Sequence, residues 1–165
     1  MDGTPGQAPQ PGGLTAGPGC AAVVVGLDGS QTSWDAFWWA CGEARRLGGR
    51  TVAVYVSPGG DAALAALASA VGVTVCDYAA VEACAAGQAS SLAGQLRRSL
   101  GDDGPEVTFV HASGDPAREL LRVAEVVHAD MIVVGRSTKA RHHVAGSLGR
   151  YLIARRGAPV VVVVP

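Results

Sequence analysis

The apolar positions of the chain form five short runs rich in β-branched residues, separated by longer segments with helical spacing. The runs are AAVVVGL at 21–27, TVAVYVS at 51–57, EVTFVHA at 106–112, MIVVG at 131–135 and PVVVVVP at 159–165. Continuous apolar runs of this length are typical of strands that are buried on both faces of a parallel sheet. The pattern therefore predicts five buried strands.

The segments between these strands contain stretches of helical length and composition. Helices are predicted within 31–49, 81–101, 115–129 and 146–157. Strands that alternate with helices pair in parallel through right-handed crossovers. The sequence thus predicts an open, doubly wound α/β fold with a parallel sheet and helices on both faces.

The first helix has a clear apolar stripe. At 100° per residue, six positions fall within about 120° of one another and are predicted to face the sheet; they are Trp34, Phe37, Trp38, Cys41, Ala44 and Gly48. Trp39 lies about 140° from Trp34 and is predicted to be partly exposed. The pair Gly48 and Gly49 is predicted to end the helix.

Composition divides the chain into a tail and one domain. Residues 1–19 contain ten Gly or Pro and no aromatic residue, so we expect a disordered tail before a domain at 20–165. Residues 58–80 mix helical and strand propensity, and we expect a short helix and a mobile excursion there. A chain of 165 residues is long enough for one such domain with a buried core.

Charge narrows the class of partner. The net charge is only −1, but residues 135–165 contain six Lys or Arg and no acidic residue. We therefore expect neither a nucleic-acid nor a membrane partner, while a local basic patch can receive a small anion. The longest apolar run, at 62–75, is too short to span a bilayer and no basic segment precedes an apolar one near the N-terminus, so we expect a cytoplasmic protein.

The four cysteines have no CxxC spacing. Reduced thiols are expected in preference to disulfides or zinc ligands, with Cys41 a small core residue.

Three loops are predicted to meet at the carboxyl ends of the strands, where open parallel sheets bind ligands. They are GLDGS at 26–30, VSPGG at 56–60 and GRSTKARHHVAGS at 135–147. In the first loop, Asp28 can accept a hydrogen bond from a ligand, or it can form an Asx turn at the start of the helix near Gln31.

The third loop has the chemistry of an anion site. Gly135 allows a turn, Ser137 and Thr138 supply hydroxyl groups, and Gly146 with Ser147 opens a helix whose free N–H groups attract anions. Three basic side chains add positive charge: Arg136, Lys139 and Arg141. In the alternative interpretation Gly135 is a turn residue, Ser147 only caps the helix and the bases are solvated.

Motifs for catalysis and metals are missing from the sequence. It has no Walker A motif, no GxGxxG after the first strand and no GxSxG. The adjacent pair His142 and His143 has side chains that point apart and lacks an acidic or cysteine partner in its loop, so no metal site is predicted. No catalytic residue is assigned.

The order of these segments resembles the universal stress protein family over residues 21–165. The resemblance rests on VVVGLDGSQTSWDAFWWACGEARRLGG, TVAVYVSP, SGDPARELLRVAEVVHADMIVVGRS, a Gly-Ser helix and APVVVVVP. It implies a five-stranded parallel sheet of order 3-2-1-4-5, similar to adenine-nucleotide alpha-hydrolases. It also implies a homodimer that meets through the last strand, residues 159–165, and a free hydrophobic edge there is consistent with such a partner.

The nucleotide-binding branch of that family carries Gly, two residues, Gly, nine residues and Gly-Ser. The resemblance implies that Asp28 contacts the nucleoside, that the backbone of Val56 reads adenine and that the Gly135 loop binds phosphates. The loop positions are Gly135, Arg136, Ser137, Thr138, Gly146, Ser147 and Leu148. In this chain Thr138 stands in place of the second glycine, and seven residues lie between Thr138 and Gly146 where the family motif has nine.

Three functions follow as hypotheses. The leading one is a regulatory or stress-response module that binds ATP or another adenine nucleotide, with Mg²⁺ accompanying ATP and at most slow hydrolysis. The second is an interaction module with a degenerate loop, which binds no nucleotide and acts through protein partners that the sequence does not name. The third is a related nucleotide hydrolase or nucleotidyl transferase, which the missing motifs argue against.

Overall fold

The sheet consists of five parallel strands in a computed structural model that describes residues 21–59, 78–101, 104–136, 147–154 and 159–165. The strands are β1 (Ala22–Gly26), β2 (Arg50–Ser57), β3 (Val107–Ser113), β4 (Met131–Gly135) and β5 (Val160–Val164). Their order in the sheet is β3-β2-β1-β4-β5. The predicted order 3-2-1-4-5 is confirmed.

Four helices flank this sheet within the described residues. They are α1 (Gln31–Arg46), α2 (Tyr78–Leu100), α3 (Pro116–Val126) and α4 (Ser147–Ile153). Each lies within a few residues of a predicted helix, as expected for sequence-based boundaries. The predicted tail at 1–19 and most of the predicted excursion at 58–80 lie outside the described residues.

The two faces of the sheet bury separate cores. Alternate strand residues point to opposite faces, so Val24 and Val54 pack on the α3 and α4 side, while Val23 and Val25 pack on the α1 side. The helices α1 and α2, which connect β1, β2 and β3, lie on one face of the sheet. The helices α3 and α4, which lead to β4 and β5, lie on the other face. The two sets diverge between β1 and β4, which is the topological switch point of the sheet.

The central strand is shorter than its neighbours at the carboxyl end. The last pair between β1 and β2 is Gly26 with Val54, and the last pair between β1 and β4 is Val25 with Val133. Beyond these pairs, β2 continues along β3 to Ser57, and β4 continues along β5 to Gly135. The sheet therefore has a gap above the end of β1, bordered by the ends of β2 and β4.

The ends of α1 and α3 have the same hydrogen-bond geometry. After α1, Gly48 has a φ of 62° and Gly49 N–H donates to the Ala44 carbonyl at 2.8 Å. After α3, His128 has a φ of 51° and Ala129 N–H donates to the Ala124 carbonyl at 2.8 Å. These are Schellman motifs, in which a residue with left-handed backbone closes the helix. The prediction that the Gly48 and Gly49 pair ends α1 is confirmed.

The outer face of α1 differs from its prediction at Trp38. Phe37, Cys41 and Ala44 are buried, but Trp38 is 45% exposed, compared with 38% for Trp39. The buried stripe also includes Ser33, Ala36 and Ala40, so its centre lies away from Trp38. The prediction that Trp38 faces the sheet was wrong because three small residues let α1 approach the sheet through a different side.

Among the helices that the structure describes, none is both long enough and apolar enough to cross a membrane.

Candidate functional site

Main-chain groups of β2 point into the gap above β1. Residues of a parallel strand alternate between hydrogen bonding to one neighbour and to the other. Ser57 accepts from Gly114 N–H on the β3 side at 2.9 Å, and Val54 accepts from Leu27 N–H on the β1 side at 2.9 Å. Val56 therefore presents its N–H and C=O toward β1, beyond the last described bond between the two strands. Val56 thus contributes one main-chain donor and one main-chain acceptor to the gap.

The loop after β1 places a carboxylate at this gap. Asp28 is exposed, and its Oδ1 accepts from Ser30 N–H at 2.9 Å and from the Ser30 hydroxyl at 2.6 Å. Gly29, between them, has a φ of 85°. This is the Asx turn that the sequence offered as one alternative for Asp28. The carboxylate is held at the end of the central strand by its own loop.

Ser30 begins α1 and completes the turn. Its hydroxyl oxygen accepts from Ser33 N–H at 3.2 Å, which makes Ser30 the N-cap residue. The Ser33 hydroxyl donates to the Ser30 carbonyl at 2.8 Å and accepts from Asp28 N–H at 3.3 Å. Asp28 is therefore fixed by the turn, while Ser30 caps the helix.

Gly135 is required by close packing between β4 and α1. A Cβ at this position would overlap the Thr32 carbonyl and lie 2.9 Å from Ser33 N. Gly135 is absent from the glycines of positive φ in the described residues, so steric space, more than turn conformation, explains the glycine. The first turn of α1 thus lies directly against the end of β4, beside the gap.

The end of β4 is also tied to β5. Arg136 N–H donates to the Val164 carbonyl at 2.8 Å, and the Arg136 side chain is exposed. The Arg136 amide is therefore used by the sheet, and its guanidinium is the part of this residue that can reach a ligand.

The remaining predicted phosphate positions are only partly described. Ser137, Thr138 and Gly146 lie outside the described residues, as do Lys139, Arg141, His142 and His143. Ser147 begins α4 as predicted, and Leu148 is half-buried against the core on the α3 side. The structure brings Asp28, Val56 and Gly135 to the ends of three adjacent strands.

A polar cluster beside Asp28 was not predicted as part of the site. Tyr55 stacks on His111 with ring centroids 5.5 Å apart, and its hydroxyl donates to Gln88 Oε1 at 2.7 Å. His111 Nε2 lies 3.0 Å from the Ser57 hydroxyl. The period-two spacing of Tyr55 and Ser57 could have indicated that they share a face, but the pairing with His111 depends on strand register.

The phenol of Tyr55 is affected by its burial and by the charge of the loop after β1. Burial raises the pKa of the Tyr55 phenol, and the charges at Cys84 and Asp28 raise it further. Tyr55 is 6% exposed, so it stays protonated and acts as a hydrogen-bond donor at neutral pH. Within the described ranges, no group of three or more His, Cys, Asp or Glu residues is arranged to hold a metal ion.

Comparison with solved structures shows the same fold in other proteins. UspA from Lactobacillus plantarum has a TM-score of 0.68 at 20% identity, over 88% of this chain and 97% of that one. A universal stress protein in complex with cAMP has a TM-score of 0.54 at 21% identity, over 89% and 98% of the two chains. A universal stress protein from Archaeoglobus fulgidus in complex with dAMP has a TM-score of 0.52 at 20% identity, over 88% and 98%.

Comparison at the level of sequence gives one match to a family and none to a single protein. No curated protein matches the chain. The model of the universal stress protein family matches residues 21–164, which is nearly all of the predicted domain. The chain belongs to the universal stress protein family.

Proposed function

We propose that this chain binds an adenine nucleotide in the gap above β1 and acts as a cytosolic regulatory module in a stress response. The observation that carries the proposal is the sheet register: β2 and β4 both continue past the last pairs of β1. Such a crevice at a switch point is where open α/β sheets bind ligands. Two proteins of the same fold, from structures with cAMP and with dAMP, support an adenine nucleotide as the ligand class.

The residues at the gap suit the parts of a nucleoside. The N–H and C=O of Val56 form a donor and acceptor pair, which matches the ring nitrogen and the amino group on one edge of adenine. The Asp28 carboxylate has acceptor positions for a ribose hydroxyl in addition to the bonds from Ser30. Base and sugar would therefore be held by β2 and by the loop after β1.

Phosphate binding is assigned to the segment that follows β4. Arg136 is exposed at its start and Ser147 begins α4 at its end. Between them the sequence supplies Ser137, Thr138, Lys139, Arg141 and Gly146. ATP would bring Mg²⁺ coordinated mainly by its own phosphates, as is usual for this cation. Hydrolysis is expected to be slow at most, because the sequence offers no catalytic base or metal carboxylate in a recognisable motif beyond Asp28.

Calorimetry tests the proposal. ATP, AMP and cAMP are each titrated into the full chain and into Asp28→Ala, and we expect binding by the parent and a loss of roughly tenfold or more in affinity for the variant. Glu125→Ala removes an exposed carboxylate of α3 and serves as the control, with unchanged affinity expected. Absence of heat for every nucleotide at millimolar concentration would contradict the proposal.

A second function is favoured by the hydrogen bonds of Asp28. Its Oδ1 already accepts twice from Ser30, which is sufficient to explain an aspartate at this position without a ligand. In this case the chain is an interaction module that binds no nucleotide. Asp28→Ala would then lower the melting temperature, as expected for loss of a turn bond, while the parent shows no heat with any nucleotide.

A further inference from the structure

The outer face of α1 carries two exposed tryptophans. All three tryptophans of the chain lie in α1, and Trp38 and Trp39 are 45% and 38% exposed. The Trp38 ring packs edge-on against Phe37 with centroids 5.1 Å apart, so it is supported by a fully buried side chain. Paired exposed aromatic rings are uncommon on an isolated surface and are enriched at protein interfaces.

Gly42, whose bare backbone forms a notch in the surface of α1, lies between these rings and the end of the helix. Gly42 lies four residues after Trp38 and three after Trp39, so it shares their surface. Among the residues that the structure describes, a Cβ at Gly42 would meet no atom within 4 Å, and Gly42 has no positive φ. Glycine inside a helix lowers stability, and neither its conformation nor its packing against the described part of the protomer explains it. The bare backbone at Gly42 leaves space for a side chain from outside.

Charges of opposite sign lie on either side of this notch. Asp35 is exposed toward the start of α1, and Arg46 is exposed at its end with 74% of its side chain accessible. Each has one partner on α1 itself, since Gln31 donates to Asp35 and Arg46 pairs with Glu43. Both groups keep further hydrogen-bonding capacity toward solvent.

The face is complementary to itself under a two-fold rotation. Asp35 and Arg46 are equally distant in sequence from the midpoint between Ala40 and Cys41, and so are Trp39 and Gly42. In an antiparallel helix pair centred on that midpoint, each acidic group faces a basic one and each indole faces a notch. A surface that matches its own copy in this way is the signature of an isologous contact.

We propose that a second copy of this chain docks on this face, with α1 antiparallel to α1 of the partner. Trp39 packs over Gly42 of the partner subunit, and Asp35 faces Arg46 of the partner subunit. Glycine at the crossing allows the two helices to approach closely, as small residues do where helices pack. This contact uses the outer face of α1, whereas the first turn of α1 meets Gly135 beside the gap through Thr32 and Ser33.

Charge reversal tests the register of the contact. Sedimentation velocity across a wide range of protein concentration is run on the parent, on Asp35→Arg and on Arg46→Asp. Each variant places like charges at both symmetric contacts, and we expect its self-association to weaken by about tenfold. In a dimer of one variant with the other, the introduced arginine faces the introduced aspartate and the second contact keeps the native pair. An equal mixture of the two variants should therefore associate as the parent does.

Filling the notch gives a second test that does not depend on charge. Gly42→Leu places a side chain in open space and replaces glycine with a better helix former. The protomer should therefore melt at a higher temperature. It should nevertheless self-associate about tenfold more weakly, and the concentration-dependent blue shift of tryptophan emission should be lost. Gly87→Leu on the exposed face of α2 is the matched control and should leave association unchanged.

Three outcomes would overturn the proposal. The first is a parent chain that stays monomeric at every concentration. The exposed tryptophans would then be assigned to the binding of a different protein. The second is association that Asp35→Arg, Arg46→Asp and Gly42→Leu all leave at the parental strength, as expected if β5 alone forms the interface. The third is weakening by each charge variant without recovery in their mixture, because recovery is specific to the antiparallel register.

Discussion

At the residue scale, two backbone positions are constrained in ways that the amino-acid type alone did not explain. The sequence indicated Gly135 as a turn glycine, whereas the structure shows a steric limit set by the first turn of α1. His128 adopts the left-handed conformation at the end of α3, a role usually taken by glycine. Neither constraint is visible in the sequence, because each depends on a neighbour or on a backbone angle.

Gly135→Ala should destabilise the protein by about 1–3 kcal/mol, since its Cβ overlaps backbone atoms of Thr32 that cannot move without shifting α1. Urea unfolding measures this change. Gly87→Ala on α2 is the control, because its Cβ would meet no atom of the described residues within 4 Å, and a gain of about 0.5–1 kcal/mol is expected. Equal stability of Gly135→Ala and the parent would show that α1 packs further from β4.

His128→Gly should stabilise the protein by about 0.5–1 kcal/mol. A φ of 51° costs an L-residue energy that glycine avoids, and part of this gain is offset by the greater freedom of glycine in the unfolded chain. Thermal unfolding compares this variant with His128→Ala, which removes the imidazole and keeps the strained conformation. A stabilisation by alanine as large as that by glycine would assign the effect to the ring.

At the element scale, composition predicted the positions of the strands more closely than it predicted which face of a helix is buried. All five strands lie where runs of valine and isoleucine predicted them, because burial on both faces leaves no polar alternation to misread. The orientation of α1 was harder to predict, since Trp34, Trp38 and Trp39 spread over about 140° of the helix surface and cannot all face the sheet. Small residues, more than large ones, decided which side approached the sheet.

The site was predictable to the same extent as the strands that carry it. The positions of Asp28, Val56 and Gly135 follow from where three apolar runs end. The cluster of Tyr55, His111 and Gln88 could not be obtained this way, because it joins residues from two strands and a helix whose register the sequence does not specify.

The edge strand β5 gives a prediction for the homodimer proposed through residues 159–165. Val160 N–H donates to the Asp130 carbonyl. In a parallel ladder the N–H of Val162 therefore also points toward β4, while the N–H groups of Val161 and Val163 point toward the open edge. Val163→Pro should remove a bond across the dimer and leave the bonds to β4 intact. Sedimentation equilibrium should show a shift toward monomer.

Val162→Pro is the matched control for that experiment. It removes a donor toward β4, so it should lower the melting temperature of the protomer itself more than Val163→Pro does. A Val163→Pro protein that dimerises as tightly as the parent would exclude pairing of β5 edges.

At the scale of the whole molecule, a buried phenol and a buried thiol should make the free energy of unfolding depend on pH in the alkaline range. Burial raises the pKa of Tyr55 above its ordinary value of 10.0, and burial raises the pKa of Cys41 above 9.0 against a smaller opposing effect of the Thr51 hydroxyl. A raised pKa means that the folded state holds its proton more tightly. The stabilisation that results from this tighter binding is complete below the pKa of the group in the unfolded chain. It is lost as the pH rises through the pKa of the group in the folded state.

The free energy of unfolding should therefore fall as the pH increases from about 9 to 11. Urea titrations at fixed pH steps measure this slope. Tyr55→Phe loses the bond to Gln88 and should be less stable at neutral pH by about 1 kcal/mol, but its stability should decline less steeply in alkali. A slope identical to that of the parent would mean that Tyr55 ionises as freely in the fold as in the unfolded chain.

The position of β1 in the middle of the sheet also affects the order in which the chain can fold. Ala22 N–H donates to Asp130 Oδ2 across 108 residues of sequence, and β1 lies between β2 and β4. During synthesis β1 leaves the ribosome first, but one of its edges cannot be covered until β4 has been made. An early strand of three consecutive valines must therefore keep an open edge until β4 is made, and during that interval the edge can pair with the wrong strand.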